Sequence, residues 1–129
     1  MDRRKQSEDV KAPARILLVS ATWPQRALLK AQLEETGFEV IGTATPEEAL
    51  DWLTDGPAFD LVILDTQHLP PDPRLLRQLG DRGLPTIVLT GPFDRARWER
   101  VLPGVNVRAT LVRPVFIREV VRAVRDVLG

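Results

Sequence analysis

Three apolar runs and one mixed run in this 129-residue chain each end on residues able to do chemistry. Ile16-Leu17-Leu18-Val19 leads into Ser20-Ala21-Thr22, and Leu61-Val62-Ile63-Leu64 into Asp65-Thr66-Gln67. Thr86-Ile87-Val88-Leu89 leads into Thr90-Gly91, and Ala109-Thr110-Leu111-Val112 into Arg113-Pro114. On adjacent strands these ends would bring a carboxylate, hydroxyls and a guanidinium together. An opposite charge beside Asp65 favours its ionised form, so a fixed pair with Arg113 is the expected state. The Ser20 and Thr90 hydroxyls are expected to cap nearby helix N-termini. No nucleophile elbow, glycine-rich phosphate loop, zinc spacing or pair of catalytic carboxylates is present, so the sequence makes no positive case for an independent enzyme. His68, the sole histidine, lies in a loop and reads as solvated, with no metal or phosphate assigned to it.

The elements that must position these groups follow from the alternation along the chain. Runs over residues 16–19, 61–64 and 86–89 read as strands buried on both faces, numbered β1, β3 and β4. The mixed segments 38–41 and 109–112 read as edge strands, β2 and β5. Helical signals fill the gaps. Pro24 opens α1, which stops at Gly37 with Leu29 and Leu33 on one face. Thr45-Pro46-Glu47-Glu48 is a capping box that opens α2, and Gly56 ends it. Helix α3 follows Asp72-Pro73 and ends at Gly80. Helix α4 is expected over residues 92–102. Helix α5, over residues 115–128, should place Phe116, Ile117, Val120, Val121, Val124, Val127 and Leu128 on one side and Arg118, Arg122 and Arg125 on the other. Strands alternating with helices predict an α/β fold: a doubly wound, five-stranded parallel sheet, order 2-1-3-4-5.

The length suits one domain, over residues 14–129, with residues 1–13 read as a disordered tail or cloning remnant. A chain without cysteine has no disulfide, thiolate metal site or thiol nucleophile. Eighteen basic and eighteen acidic side chains cancel. By segment, residues 1–30 carry seven and three (+4), residues 31–73 none and ten (−10), and residues 74–129 eleven and five (+6). The acidic segment should form the β2/α2 side and the basic one the α4-β5-α5 side. Nothing reads as a membrane span or signal peptide, and a cytoplasmic location is expected. Nothing resembles a nucleic-acid recognition helix either.

The chain resembles a response-regulator receiver domain of bacterial two-component signalling. The resemblance rests on Phe59-Asp60-Leu61-Val62-Ile63-Leu64-Asp65, Leu84-Pro85-Thr86-Ile87-Val88-Leu89-Thr90, Thr45-Pro46-Glu47-Glu48-Ala49-Leu50 and Leu111-Val112-Arg113-Pro114-Val115-Phe116. It implies a flavodoxin-like fold, a histidine kinase as partner, Asp65 at the phosphoacceptor position and Thr90 at the switch hydroxyl. The departures are equally specific. The acidic pair that holds Mg²⁺ in that family corresponds to Ser20 and Ala21, the lysine to Arg113, and the aromatic switch residue to Thr110. With only Asp65 and a Gln67 carbonyl left, Mg²⁺ affinity should fall sharply, and no cofactor is expected.

The resulting expectation is a degenerate receiver, a pseudo-receiver, that acts by phosphorylation-independent protein–protein contact through the α4-β5-α5 side, including contact with a second copy of itself. Trp98, Thr110, Arg118 and Arg122 are its expected contact residues, with Arg95, Arg97, Arg108 and Arg125 around them. Trp23 and Trp52 are read instead as packing residues. Two alternatives stand beside this reading. One is a working phosphoacceptor at Asp65 with a weakened Mg²⁺ site. The other is a flavodoxin-like module that holds an anion or nucleotide at the strand ends, against which the missing glycine-rich first loop counts.

Overall fold

The computed structural model describes residues 12–129. The expected tail over residues 1–13 therefore lies almost wholly outside the described residues. Five strands, β1 (Arg15–Val19), β2 (Glu39–Thr43), β3 (Leu61–Asp65), β4 (Thr86–Thr90) and β5 (Val107–Val112), form one sheet. Its order is β2-β1-β3-β4-β5 and every pairing is parallel. The helices are α1 (Trp23–Glu35), α2 (Pro46–Asp55), α3 (Pro73–Asp81), α4 (Arg95–Glu99) and α5 (Ile117–Leu128).

The most apolar strands lie inside the sheet because helices cover them on both faces. Leu17, Val19, Val62 and Leu64 point toward α2, α3 and α4, where they meet Ala49, Leu53, Leu75, Leu79 and Trp98. Ile16, Leu18, Leu61, Ile63, Ile87 and Leu89 point the other way, onto Leu29 and Leu33 of α1 and Val120 and Val124 of α5. The one-residue alternation along each strand separates the two cores. The acidic and basic segments consequently reach opposite edges of the sheet, at β2 and β5.

Local chemistry sets the helix ends. The Thr45 hydroxyl accepts the Glu48 N–H at 3.2 Å, and the Asp72 carboxylate accepts the N–H groups of Arg74 and Leu75. Gly37, just past α1, has a φ of 109°, a conformation that favours glycine.

Helix α4 departs from expectation. It covers five residues rather than residues 92–102, and Val101 and Leu102 both turn back onto the Trp98 carbonyl. The outer face of β5 is therefore left bare, with Arg108, Thr110 and Val112 exposed between partly buried Val107, Ala109 and Leu111. Phe116, expected on the buried side of α5, sits at its N-cap and is exposed, because the helix begins at Ile117, two residues later than expected.

Candidate functional site

The carboxyl ends of β1, β3, β4 and β5 bring Ser20, Asp65, Thr90 and Arg113 into one cluster, as the strand order requires. Arg113 organises it. Its Nη1 donates to Asp65 Oδ1 at 2.8 Å and to the Leu89 carbonyl at 3.2 Å, and its Nη2 reaches Asp94 Oδ2 at 3.4 Å. The expected Asp65–Arg113 pair is thus present, but the guanidinium is shared between two carboxylates. A planar fork with five donors can do this where a lysine ammonium, a compact point charge, cannot do it in the same geometry.

Asp94 is the residue that sequence reasoning missed. It lies in the loop between β4 and α4 and accepts hydrogen bonds from the Thr66 hydroxyl at 2.7 Å, the Gly91 N–H at 2.8 Å and the Thr90 hydroxyl at 3.2 Å. Thr66 joins it from the end of β3. The available signal was Thr90-Gly91-Pro92-Phe93-Asp94, a turn with an aspartate three residues after a glycine. Gly91 has a steric role here. A Cβ at that position would come within 2.9 Å of Arg113 Nη2 and 3.3 Å of Asp94 Oδ1, so a side chain would push the fork away.

The two hydroxyls do not cap helices as expected. Ser20 donates to Asp65 Oδ2 at a long 3.3 Å, and Thr90 donates to Asp94. Both are buried at strand ends, where each hydroxyl donates to a carboxylate instead of accepting a helix N–H. Ala21 adds no polar side-chain atom. Gln67 contributes its backbone N–H to Asp65 Oδ1 at 3.1 Å, while its Oε1 is buried without a hydrogen-bond partner.

The two carboxylates differ electrostatically. Burial raises the Asp65 carboxyl above its ordinary value of 3.8, outweighing the Gln67 N–H, Arg113 and Ser20, and nearby Asp94 raises it further. Partial burial also pushes Asp94 up, but the Thr66 hydroxyl, the Gly91 N–H, the Thr90 hydroxyl and Arg113 together hold it below 3.8. The expected stabilisation of ionised Asp65 by Arg113 is real, but desolvation opposes it and is the larger influence.

Arg113 also divides the strand-end crevice. On one side Ser20, Asp65 and Arg113 line a cavity between α1 and α5. On the other, Gln67, His68, Asp94, Arg97 and Arg113 line a cavity beneath the β3–α3 and β4–α4 loops. The Mg²⁺ that a receiver fold implies does not fit this arrangement. Asp65 is the one carboxylate among the described residues on its cavity, its Oδ1 already accepts two N–H donors, and Asp65 and Gln67 line different cavities. Among the described residues no group of three or more His, Cys, Asp or Glu side chains is placed to hold a metal ion. His68 is exposed, as expected of a loop histidine.

On the basic flank, Thr110, Arg118 and Arg122 are exposed as expected, and so are Arg95, Arg97, Arg108 and Arg125. Among the described residues Arg108, Arg118, Arg122 and Arg125 form no ion pair. Arg118 lies 5.1 Å from the centroid of the Phe116 ring. Trp98 must be removed from this surface. It is only 2% exposed and belongs to the core, where the single turn of α4 aims it at the sheet. Trp23, read as a packing residue, is 68% exposed, because it stands off the α1 face that carries Leu29 and Leu33, and Trp52 is also exposed.

Comparison with known proteins agrees with this geometry at the level of fold. The sequence matches no protein-family model and no curated protein. Among solved structures, the chain is similar to the signal receiver domain of an HD domain-containing protein from Pseudomonas fluorescens Pf-5 (TM-score 0.78, 25% identity, 92% of this chain and 89% of that one). It is also similar to a CheY-like response regulator receiver domain protein from Methanospirillum hungatei JF-1 (0.75, 25%, 88% and 92%). A response regulator receiver protein from Pseudomonas putida superposes with a TM-score of 0.76 at 24% identity over 91% and 99% of the two chains. The described chain has the flavodoxin-like fold of response-regulator receiver domains. No helix among the described residues is long and apolar enough to cross a membrane.

Proposed function

We propose that this chain is a degenerate receiver, a signalling module that works by protein contact and not as an enzyme, and that its contact does not depend on phosphorylation. The observation that carries this reading is the Arg113 fork, held 2.8 Å from Asp65 and 3.4 Å from Asp94 while Ser20 and Ala21 stand where an acidic pair would be needed. Transfer of a phosphoryl group to a carboxylate requires the charge spread over the phosphoryl oxygens to be neutralised, mostly by metal. Here the positive charge is already shared between two internal carboxylates.

The contact surface is the basic flank of α4, β5 and α5, reduced to what the structure leaves exposed: Thr110, Arg118 and Arg122, with Arg108 and Arg125. Unpaired arginines beside the bare outer face of β5 suit an acidic protein surface, including the β2/α2 edge of a second copy. The test is intact mass after incubation with Mg²⁺ and acetyl phosphate, with association measured in parallel. The mass should stay unchanged, and Arg122→Glu should weaken association while the fold is retained. A phosphate-sized adduct that Asp65→Asn abolishes would establish the alternative, a working phosphoacceptor with a weakened Mg²⁺ site.

A further inference from the structure

The cavity between α1 and α5 has a volume of about 270 Å³ and a polar floor formed by Ser20, Asp65 and Arg113. Its walls are mostly aliphatic, with Leu29, Leu89, Val115 and Ile117 among them, and Gln25 and exposed Leu28 of α1 complete the lining. The floor is not fully satisfied. Asp65 Oδ1 holds two N–H donors, but Oδ2 accepts only the long 3.3 Å bond from Ser20. Asp65 and Asp94 also share the single Arg113, so the ionised cluster keeps one uncompensated negative charge. Arg26, the other cation that reaches Ser20, donates to its carbonyl at 2.6 Å and lies against Gly42 of β2, on the other flank of α1.

These features select a ligand. A buried carboxylate oxygen with spare lone pairs calls for a cationic donor. Aliphatic walls exclude a hydrated divalent ion and suit an alkyl stem. The volume falls below the roughly 300–1,000 Å³ of pockets for drug-sized molecules, which fits one side chain. Exposed Trp23, Leu28 and Phe116 lie on α1 and at the start of α5, the two elements that flank the cavity, as a partner's cover would require. We propose that this cavity binds the alkylammonium side chain of a lysine presented by a protein partner, with the ammonium on Asp65 Oδ2 and the stem along Leu29, Leu89 and Ile117. The proposal deepens the contact reading above by giving it an anchor.

The probes are n-butylammonium and N-acetyl-lysine methylamide, titrated into the full chain and followed by amide chemical shifts. Both should give saturable shifts at Ser20, Asp65 and Ile117 in roughly the millimolar range. n-Butanol should bind at least about tenfold more weakly, as should either amine to Asp65→Asn. Leu28→Trp, at an exposed helix position, should also weaken binding by covering the mouth. An equal response to n-butanol, displacement of butylammonium by Mg²⁺, or no response at all would overturn the proposal. Binding of butylammonium with exclusion of the lysine derivative would assign the cavity to free amines and overturn it as well. A phosphate adduct in the mass measurement would instead sink the contact reading and leave this titration to be judged on its own.

Discussion

The two halves of the strand-end pocket are built on opposite plans. The β1 half is sparse: Ser20 makes one long hydrogen bond to Asp65, and Ala21 contributes no polar group. The β4–β5 half is dense: Thr66, Thr90, Gly91 and Arg113 all donate to Asp94, and Arg113 continues to Asp65 and the Leu89 carbonyl. In receiver domains, as the sequence resemblance has it, negative charge gathers after β1. Here the second carboxylate of the cluster, Asp94, lies in the loop after β4, where it fastens that loop to the ends of β3 and β5. The acid and the cation of this pocket pair with each other.

If the dense half is the structural one, damage there should cost most. Trp98→Ala should have the largest effect, because it empties the core beneath α4 and loosens the element that follows Asp94. A buried tryptophan truncation costs about 3–5 kcal/mol, measurable as a lowered urea midpoint. A loss below about 1 kcal/mol would return Trp98 to the surface. Arg113→Ala comes next, since it leaves Asp65 and Asp94 without their shared cation, at a cost of about 3 kcal/mol.

The two aspartates should also part company with pH. Asp94 is held below its ordinary 3.8, so its stabilising contribution is complete above that value and is lost as pH falls through its folded pKa. Asp65 is raised above 3.8, so its contribution becomes less favourable as pH rises from 3.8 to its folded pKa. Relative to the parent, Asp65→Asn should therefore gain stability as pH rises through that window. Asp94→Asn should instead recover relative stability as pH falls below 3.8. Urea titrations across this range check the signs, and parallel curves for the two variants would contradict the assignment. The smallest effect belongs to the sparse half. Ser20→Ala removes one long hydrogen bond and should change stability by less than about 1 kcal/mol.

Much of this arrangement was legible in the sequence because backbone requirements dominate it. Runs buried on two faces must be unbroken and apolar, which marked β1, β3 and β4, and Thr45, Asp72 and Gly37 are local stop and start signals with a mechanism. The Asp65–Arg113 pair was legible because the strand order gathers the ends of β3 and β5 in one crevice and neutral Ser20 and Ala21 leave Asp65 beside Arg113. What escaped depends on tertiary accommodation. Residues 92–102 carry a helical composition, yet Asp94 bonds to Gly91 and to β-strand hydroxyls, and the chain turns back at Trp98, leaving one helical turn. Whether a tryptophan packs or is exposed depends on which face of its helix meets the sheet. The five-residue α4 has too few turns for periodicity to reveal the face of Trp98, and Trp23, the first residue of α1, lies off the stripe of Leu29 and Leu33. Asp94 could not be assigned from composition, because its partners come from β3, β4 and β5 at once.

The central claim is that the pocket's own charges occupy the place of metal and phosphoryl group. Intact mass of the parent chain and of Ser20→Asp/Ala21→Asp, each incubated with Mg²⁺ and acetyl phosphate, tests it most directly. The parent mass should stay unchanged, and an adduct should form only where the acidic pair has been supplied. A phosphate adduct on the parent chain that disappears in Asp65→Asn would contradict it.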